Sequence, residues 1–362
     1  MEDGRLVLAG ALSLTGRYAL QGTLACAGLQ QAAADVRSAG GVRVGARYVR
    51  PELVVLDDQG TRAGVRRALD ALVHADLVVG PYGSDLVREA ARWAAERGRV
   101  VWNHGGSADD VERHPAVVSV ASPASRYLAA VLESLPANRH SARVVLAVGR
   151  GPFGQQVAAG AQEVAARLGM PAIEVVAHDA VPDAPDAEVL LMAGSYDEDV
   201  ALLRRLRVRP AVIAAGAAGL SMFASEIGRR AEGVLAPSQW EERVRVAVDV
   251  GPRAIDVVRA LRARALPTLS VGAGTAHVDY VTAQGYAAVL IALRCVEEAG
   301  SLVDEALLAV ARRLRCTTFF GRFGLGPDGR QADHELVVVQ WRAGMKRIVW
   351  PPHLAEAGLE EI

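Results

Sequence analysis

The sequence predicts an α/β chain of two lobes, each built on a mainly parallel sheet. Three observations carry that reading. At 362 residues the chain exceeds one ordinary core and suits a pair of domains. Short apolar runs alternate with helical patterns from end to end, which is the rhythm of βαβ units. The rhythm restarts after Ala121-Ser122-Pro123, so one such unit follows another.

Taken in order, strands read at 6–11, 53–57, 77–79 and 100–103, and helices at 20–37, 62–73, 86–97 and 109–113. In the second copy, helices read at 126–135, 154–168, 197–207 and 221–230. Its strands read at 144–148, 173–177, 189–192, 211–215 and 233–236, with a Pro/Asp-rich loop at 181–186. The C-terminal part departs from the alternation. Helices at 254–265, 279–299 and 303–314 precede a glycine-rich turn region at 321–329. Strands at 335–342 and 347–349 then form a hairpin turning at Ala343-Gly344. Solenoid repeats and low-complexity tracts are absent from the sequence.

Composition narrows the function classes. Hydrophobic residues make up 51% and charged residues 22%, which argues against a disordered chain. A net charge of −1 supplies no basic field for nucleic acid. Nearly all basic residues are arginine and Lys346 is the single lysine, a bias of genome composition. Cys26, Cys295 and Cys316 share no metal-ligand spacing. They read as packed thiols, the alternative being one disulfide and a spare thiol. Runs of roughly 18 apolar residues, as a membrane span needs, do not occur. The start Met1-Glu2-Asp3-Gly4-Arg5 does not read as a signal peptide. That leaves an extracytoplasmic protein whose leader was removed, or a cytoplasmic one.

Ligands of open parallel sheets bind beyond the carboxyl ends of the strands. Three strand-end loops stand out: Ser13-Leu14-Thr15-Gly16-Arg17-Tyr18, Gly80-Pro81-Tyr82-Gly83-Ser84 and Asn103-His104-Gly105-Gly106-Ser107. The last two follow strands, contain glycine and end in a serine before a helix. Each serine reads as an N-cap, and Asp110 gives Ser107 a variant capping box. Helix amides with hydroxyls suit a carboxylate, although plain capping explains the same pattern. Tyr18, Tyr82, Phe153, Tyr196 and Trp240 place aromatic rings at loop positions, where they stack on a ligand or on each other. His104, near Asp109 and Asp110, reads as a hydrogen-bonding loop histidine and less readily as a base or metal ligand. His277 and Asp279 form only an H-x-D pair, with Asp279 as a cap. The G-x-G-x-x-G match at Gly324, Gly326 and Gly329 contains Pro327 and Asp328 and leads into a strand, so it reads as a β-turn and not as a dinucleotide site. Other enzyme signatures are missing.

At this point the residues resemble a family. Leu12-Ser13-Leu14-Thr15-Gly16-Arg17-Tyr18-Ala19 with Gly22, Ala39-Gly40-Gly41-Val42, Leu56-Asp57-Asp58 and Val79-Gly80-Pro81-Tyr82-Gly83-Ser84 are similar, in order and spacing, to markers of the type I periplasmic binding proteins of the leucine/isoleucine/valine class. Residues 280–299 are similar to that family's return helix, and 321–329 to its glycine-rich turn. The resemblance covers essentially the whole chain.

It implies two Rossmann-like lobes joined by a three-strand hinge, with the ligand between them. Lobe one would be residues 1–121 plus about 243–327, and lobe two 122–242 plus 328–362. Crossovers would fall near Ser122, 238–242 and 325–330. On matched loops, Ser84 would hold a ligand carboxylate, the Gly105 carbonyl its amine, and the Ser107 hydroxyl both ends. Tyr18, Gln21, Tyr82, His104 and Gly106 would complete the first lobe's contacts, and Phe153, Tyr196, Ala217 and Gln239 would come from the second. The family's amino-acid binders place an acid after the strand ending near Ala215. Here Ala214-Ala215-Gly216-Ala217-Ala218-Gly219 has none, unless Asp197 or Glu241 substitutes. A buried ammonium without a counter-charge is costly, so the resemblance points to a carboxylate or amide ligand. It implies a solute-binding role for an ABC permease, with no cofactor, no metal and no catalysis. A cytoplasmic sensor of the same fold, and a hydrolase using Ser107 and His104, are the competing readings.

Overall fold

The computed structural model describes residues 4–264 and 277–360. The chain divides into two compact units, residues 4–122, 245–264 and 278–335 forming the first and residues 123–244 and 336–360 the second.

The first unit begins with β1 (Gly4–Leu12), α1 (Ala19–Ser38), β2 (Val42–Val44), β3 (Arg47–Asp57), α2 (Arg62–Ala71), β4 (Leu77–Val79) and α3 (Ser84–Ala95). It continues through β5 (Val101–Asn103), the single turn α4 (Asp109–Glu112) and β6 (Val117–Ser119). The second unit follows with α5 (Tyr127–Ser134), β7 (Val144–Val148), α6 (Pro152–Arg167), β8 (Glu174–Ala177) and β9 (Val189–Ala193). Then come α7 (Tyr196–Arg205), β10 (Val212–Ala215), α8 (Met222–Ile227) and β11 (Leu235–Ser238). Next, α9 (Ala254–Arg264), α10 (Tyr280–Ala299), α11 (Asp304–Arg313), β12 (Cys316–Thr318) and β13 (Gly321–Phe323) belong to the first unit. The final pair, β14 (Val337–Arg342) and β15 (Met345–Trp350), belongs to the second.

The first sheet runs β2-β3-β1-β4-β5-β6, parallel throughout except for the β2–β3 hairpin. The second runs β15-β14-β11-β10-β9-β7-β8, parallel from β11 to β8 and antiparallel where β14 joins β11 and β15. Parallel strands covered on both faces read as near-continuous apolar runs, which is why the strand cores were legible. On one face of the first sheet, Val78, Val101 and Val117 pack against Val65, Leu69, Leu86 and Trp93 of α2 and α3. The α1–α10 pair is also close. A Cβ on Gly28 would lie 2.0 Å from the Thr282 carbonyl oxygen, so only glycine allows the helices this approach. In the second unit, Leu132, Val157 and Val164 cover Leu146, Leu191, Leu235 and Val338. Among the described residues no helix is long and apolar enough to cross a membrane.

The differences from the sequence reading have local causes. The strands it lacked, β2, β6 and β12, have three residues each and, unlike the equally short but wholly apolar β4, each includes a polar residue that breaks the run. β3 starts at Arg47 and runs through Pro51, beyond the Val49 limit of β2, where it is an edge and tolerates proline. The glycine-rich stretch is part strand, since β13 pairs with β12, and part turn, closed by the Gly329 amide donating to the Gly326 carbonyl at 3.0 Å. The hairpin turns at Ala343-Gly344 as read, with φ of 49° and 74° as a type I′ turn requires. Asp279 occupies the N-cap position of α10 but makes no side-chain capping bond there. The expected end of α9 at Ala265 lies outside the described residues. All three cysteines are free and buried.

We expect Gly28→Ala to lower unfolding stability by about 1–3 kcal/mol, the usual cost of overpacking, as a reduced urea midpoint with an unchanged slope.

Candidate ligand-binding loops

The three loops of the first unit are built by carboxylate and amide side chains at the strand ends. Asp57 accepts the Leu14 and Thr15 amides at 3.0 and 3.2 Å, the Thr15 hydroxyl at 2.6 Å and the Gln59 amide at 2.8 Å. The slight burial of Asp57 acts against its charge, but the bonds from Thr15, Gln59 and Leu14 hold the carboxyl below its usual range. Asp58, fully buried, accepts the Ser13 hydroxyl at 2.6 Å and the Gly60 amide at 2.8 Å. Burial pushes its carboxyl up despite those bonds.

The loop after β4 is fixed by aromatic packing. Tyr18 and Tyr82 meet edge to face at 5.8 Å. The Arg17 guanidinium lies 4.5 Å from the centre of the Tyr18 ring and pairs with Asp85. Burial and Asp85, which accepts the Tyr18 hydroxyl at 3.3 Å, push the phenol up to about 12. Gly83 takes φ of 98°, and a Cβ there would meet the Tyr18 ring at 2.7 Å. No other residue fits that corner. Gln21, the third residue of α1, is buried.

The second and third loops are joined. The Gly83 amide donates to the Gly105 carbonyl at 2.9 Å, and the Ala108 amide to Ser84 Oγ at 3.0 Å. Ser84 is thereby brought beside the residue that follows Ser107. Neither serine is an N-cap. Gly83 caps α3, and Ser84 is that helix's first residue. Ala108 caps α4, with Ser107 one place earlier. Asp110 is held by Arg88 in a two-pronged pair at 2.6 and 2.7 Å. α4 is a single turn, so its dipole adds little. The Ser84 and Asp85 amides at the start of α3 have no partner among the described residues, and the Ser84 hydroxyl keeps its proton to donate.

Asn103 organises the third loop, a role the sequence reading missed. Its Oδ1 accepts the Gly105 and Gly106 amides at 3.1 and 2.9 Å. Its Nδ2 donates to the Gly106 carbonyl and Ser119 Oγ, both at 2.7 Å. His104, read as a loop histidine with a hydrogen bond, is instead fully buried. Neither ring nitrogen makes a well-aligned hydrogen bond, and the Gly80 backbone is the polar group that comes near. Burial lowers its pKa from 6.5 to about 4, so it is neutral in the folded protein.

In the second unit Phe153 is the second residue of α6 and packs edge-on against Tyr127 at 5.7 Å. The Tyr127 hydroxyl accepts from buried Gln239 at 3.0 Å. Tyr196 opens α7, whose start carries a full capping box of Ser195 and Glu198, and donates to Glu226 at 3.0 Å. Burial and Glu226 raise its phenol. The Ala217 amide donates to Asp199 at 3.1 Å. Asp199 is completely buried and also bonds the Gly194 amide and His178 Nε2, each at 3.0 Å. Asp199, His178 and Tyr127 were not singled out from sequence.

The acids offered as substitutes have other engagements. Asp197 is solvent-exposed at the start of α7. Glu241 is buried against Lys346, Oε1 to Nζ 2.7 Å, and Lys346 also donates to the Gly219 carbonyl at 2.8 Å.

A family model described as periplasmic binding protein matches residues 7–346. No curated protein gives a match to the chain. Among solved structures, a leucine-binding protein of Thermotoga maritima superposes with a TM-score of 0.79 at 17% identity, covering 95% of this chain and 97% of its own. A branched-chain amino-acid transporter substrate-binding protein of Streptococcus pneumoniae, in complex with isoleucine, gives 0.75 at 16% identity, covering 96% and 100%. A solute-binding protein of R. palustris in complex with benzoate gives 0.73 at 15%, covering 96% of each chain. At these identities the likeness shows the fold. The sequence reading of a two-lobed α/β architecture agrees with it, and these relatives are solute-binding proteins.

Two outcomes test the internal architecture. The folded pKa of His104 lies below its unfolded value of 6.5. Its contribution to stability is therefore complete above about 6.5 and is lost as pH falls through about 4. Over that window the chain should lose up to roughly 3 kcal/mol more than a His104→Gln variant, read from urea unfolding at successive pH values. Lys346→Met leaves Glu241 buried without its cation and should cost about 3–5 kcal/mol, seen as a lowered thermal midpoint.

Proposed function

This chain belongs to the periplasmic binding protein family, and we propose on that footing that it is a solute-binding protein for a small organic carboxylate. In this reading the carboxylate sits at the start of α3, on the Ser84 and Asp85 amides and the Ser84 and Ser107 hydroxyls, with Tyr18 and Tyr82 beside it. The observation that carries the reading is Ser84. Its oxygen is fixed by the Ala108 amide, its proton is left to donate, and it opens a helix of 12 residues whose first amides are unpartnered. Such a helix start favours an anion.

If, as the family resemblance implies, the second unit meets the ligand's other end, its charged groups bear on the ligand's class. The acids there that would balance an ammonium are exposed, as Asp197 is, paired with Lys346, as Glu241 is, or held by two amides and a histidine, as Asp199 is. Phe153 and Tyr196 supply aromatic surface. A carboxylate whose remainder is apolar or aromatic fits this set better than a zwitterion. The structural relatives bind both kinds: one is in complex with isoleucine and another with benzoate. Hinge closure on the ligand, followed by delivery to an ABC permease, completes the proposal. Extra contacts made on closing would shift the open and closed populations.

Calorimetry against leucine, valine and benzoate tests the class. We expect benzoate to bind and leucine not to; micromolar leucine binding would remove the carboxylate-only reading. Ser84→Ala should weaken benzoate by about 1–3 kcal/mol, and an unchanged affinity would displace the site.

A further inference from the structure

We propose that the first unit carries a second ligand site, an arginine-lined pocket that takes a small polyanion of the phosphate or polycarboxylate class. The cavity measures about 480 Å3. Its walls come from Arg113, His114 and Pro115 ahead of β6, from Arg312 in the last turn of α11 and Arg315 beyond it, and from the Gly326–Gly329 turn. It shares no residue with the loops described above.

The charge in these walls is unbalanced. Three guanidiniums face one carboxylate, Asp328. That carboxylate is already held at 2.7 Å by Arg330, a residue outside the lining, and by Arg113 only at 3.4 Å. Arg113 reaches Asp109 no closer than 4.0 Å, while Arg330 holds Asp109 at 2.6 Å. Arg315 meets Asp333 at 3.4 Å. The Arg312 guanidinium makes no ion pair or hydrogen bond among the described residues. Positive charge therefore gathers in a concavity, on a chain whose net charge is −1. Concave walls focus such a field, and guanidinium forks match phosphate and carboxylate oxygens two at a time. Offsetting the α11 dipole accounts for Arg312, and the bonds to the Arg312 and Leu314 carbonyls at that helix end account for Arg315; neither accounts for Arg113 facing the same space.

The site is also pre-formed. The turn is closed at both ends, Gly329 amide to Gly326 carbonyl at 3.0 Å and Gly326 amide to Arg330 carbonyl at 2.8 Å. Arg315 is tied to the Leu325 carbonyl at 2.8 Å and the Leu314 carbonyl at 2.9 Å. His114 Nδ1 accepts the Ala116 amide at 3.3 Å, so the neutral ring carries its proton on Nε2 as a donor. A polyanion entering here meets Arg315, His114 and the turn already positioned, and the ordering cost falls on Arg312.

The experiment is calorimetry on the whole chain with inorganic pyrophosphate and, separately, citrate, at low and at physiological salt. The exposed Arg312→Ala and Arg113→Ala variants are compared with Ser84→Ala, each checked for unchanged circular dichroism. We expect saturable one-to-one binding of at least one probe, weakened about tenfold in each arginine variant, more in the double variant, and unaffected by Ser84→Ala. Arg312→Lys, which keeps charge and loses the fork, should recover part of the loss. The proposal is overturned if neither probe saturates, or if the arginine variants bind as well as the parent. It is equally overturned if Ser84→Ala alone abolishes binding, which would place the anion on the strand-end loops.

Discussion

A parallel sheet ends on one edge in loops whose amides have no ladder partner, and each buried amide left bare costs about 1–3 kcal/mol. In this chain a few side chains meet that demand. Asp57, Asp58 and Asn103 do so at the ends of β3 and β5, and Asp199 does so for the loops that follow β9 and β10. Each gathers amides from residues near and far in sequence, so one carboxylate or amide fixes the course of a whole loop. The position of Ser84 beside the Ser107–Ala108 step depends on this scaffolding, since the third loop would have no fixed path without Asn103.

The same arrangement decides which donors of the loops are already taken. Gly105 and Gly106 give their amides to Asn103, and Gly105 gives one lone pair to Gly83. The remaining donors cluster at the start of α3. In the second unit Asp199 and Glu241 are held within the protein while Asp197 is exposed, and Phe153 pairs with Tyr127. Charge is handled differently in the arginine-lined pocket, where ion pairs of 3.4 Å and longer leave Arg113 loosely engaged and Arg315 is held by main-chain carbonyls.

The fold was legible because buried parallel strands are apolar for their whole length. β4 and β7 were read to the residue, and the last hairpin followed from Ala343-Gly344. The geometry of the candidate loops was legible only in outline. A serine before a helix looks like a cap, and a shift of one residue, set by the backbone of Gly83 and Ala108, changes its role. His104 follows β5 in sequence and looked like a loop residue, yet it is fully enclosed. Asn103 and Asp199 carry no local signature. Asn103 has the look of a turn residue, and Asp199 is indistinguishable from the acidic residues that flank it at the start of α7. Their partners are supplied by the fold and not by spacing. The arginine pocket joins residues some two hundred positions apart, beyond any motif.

The pairing of Lys346 with Glu241 has a practical side. Lys346 is the chain's single lysine, and its side chain is 7% accessible. Reagents that seek ε-amines, including amine cross-linkers, acylating dyes and resins coupled through lysine, will find no ready target on the folded surface. Modification of Lys346 would instead report that the protein had opened, making this one amine an internal gauge of unfolding.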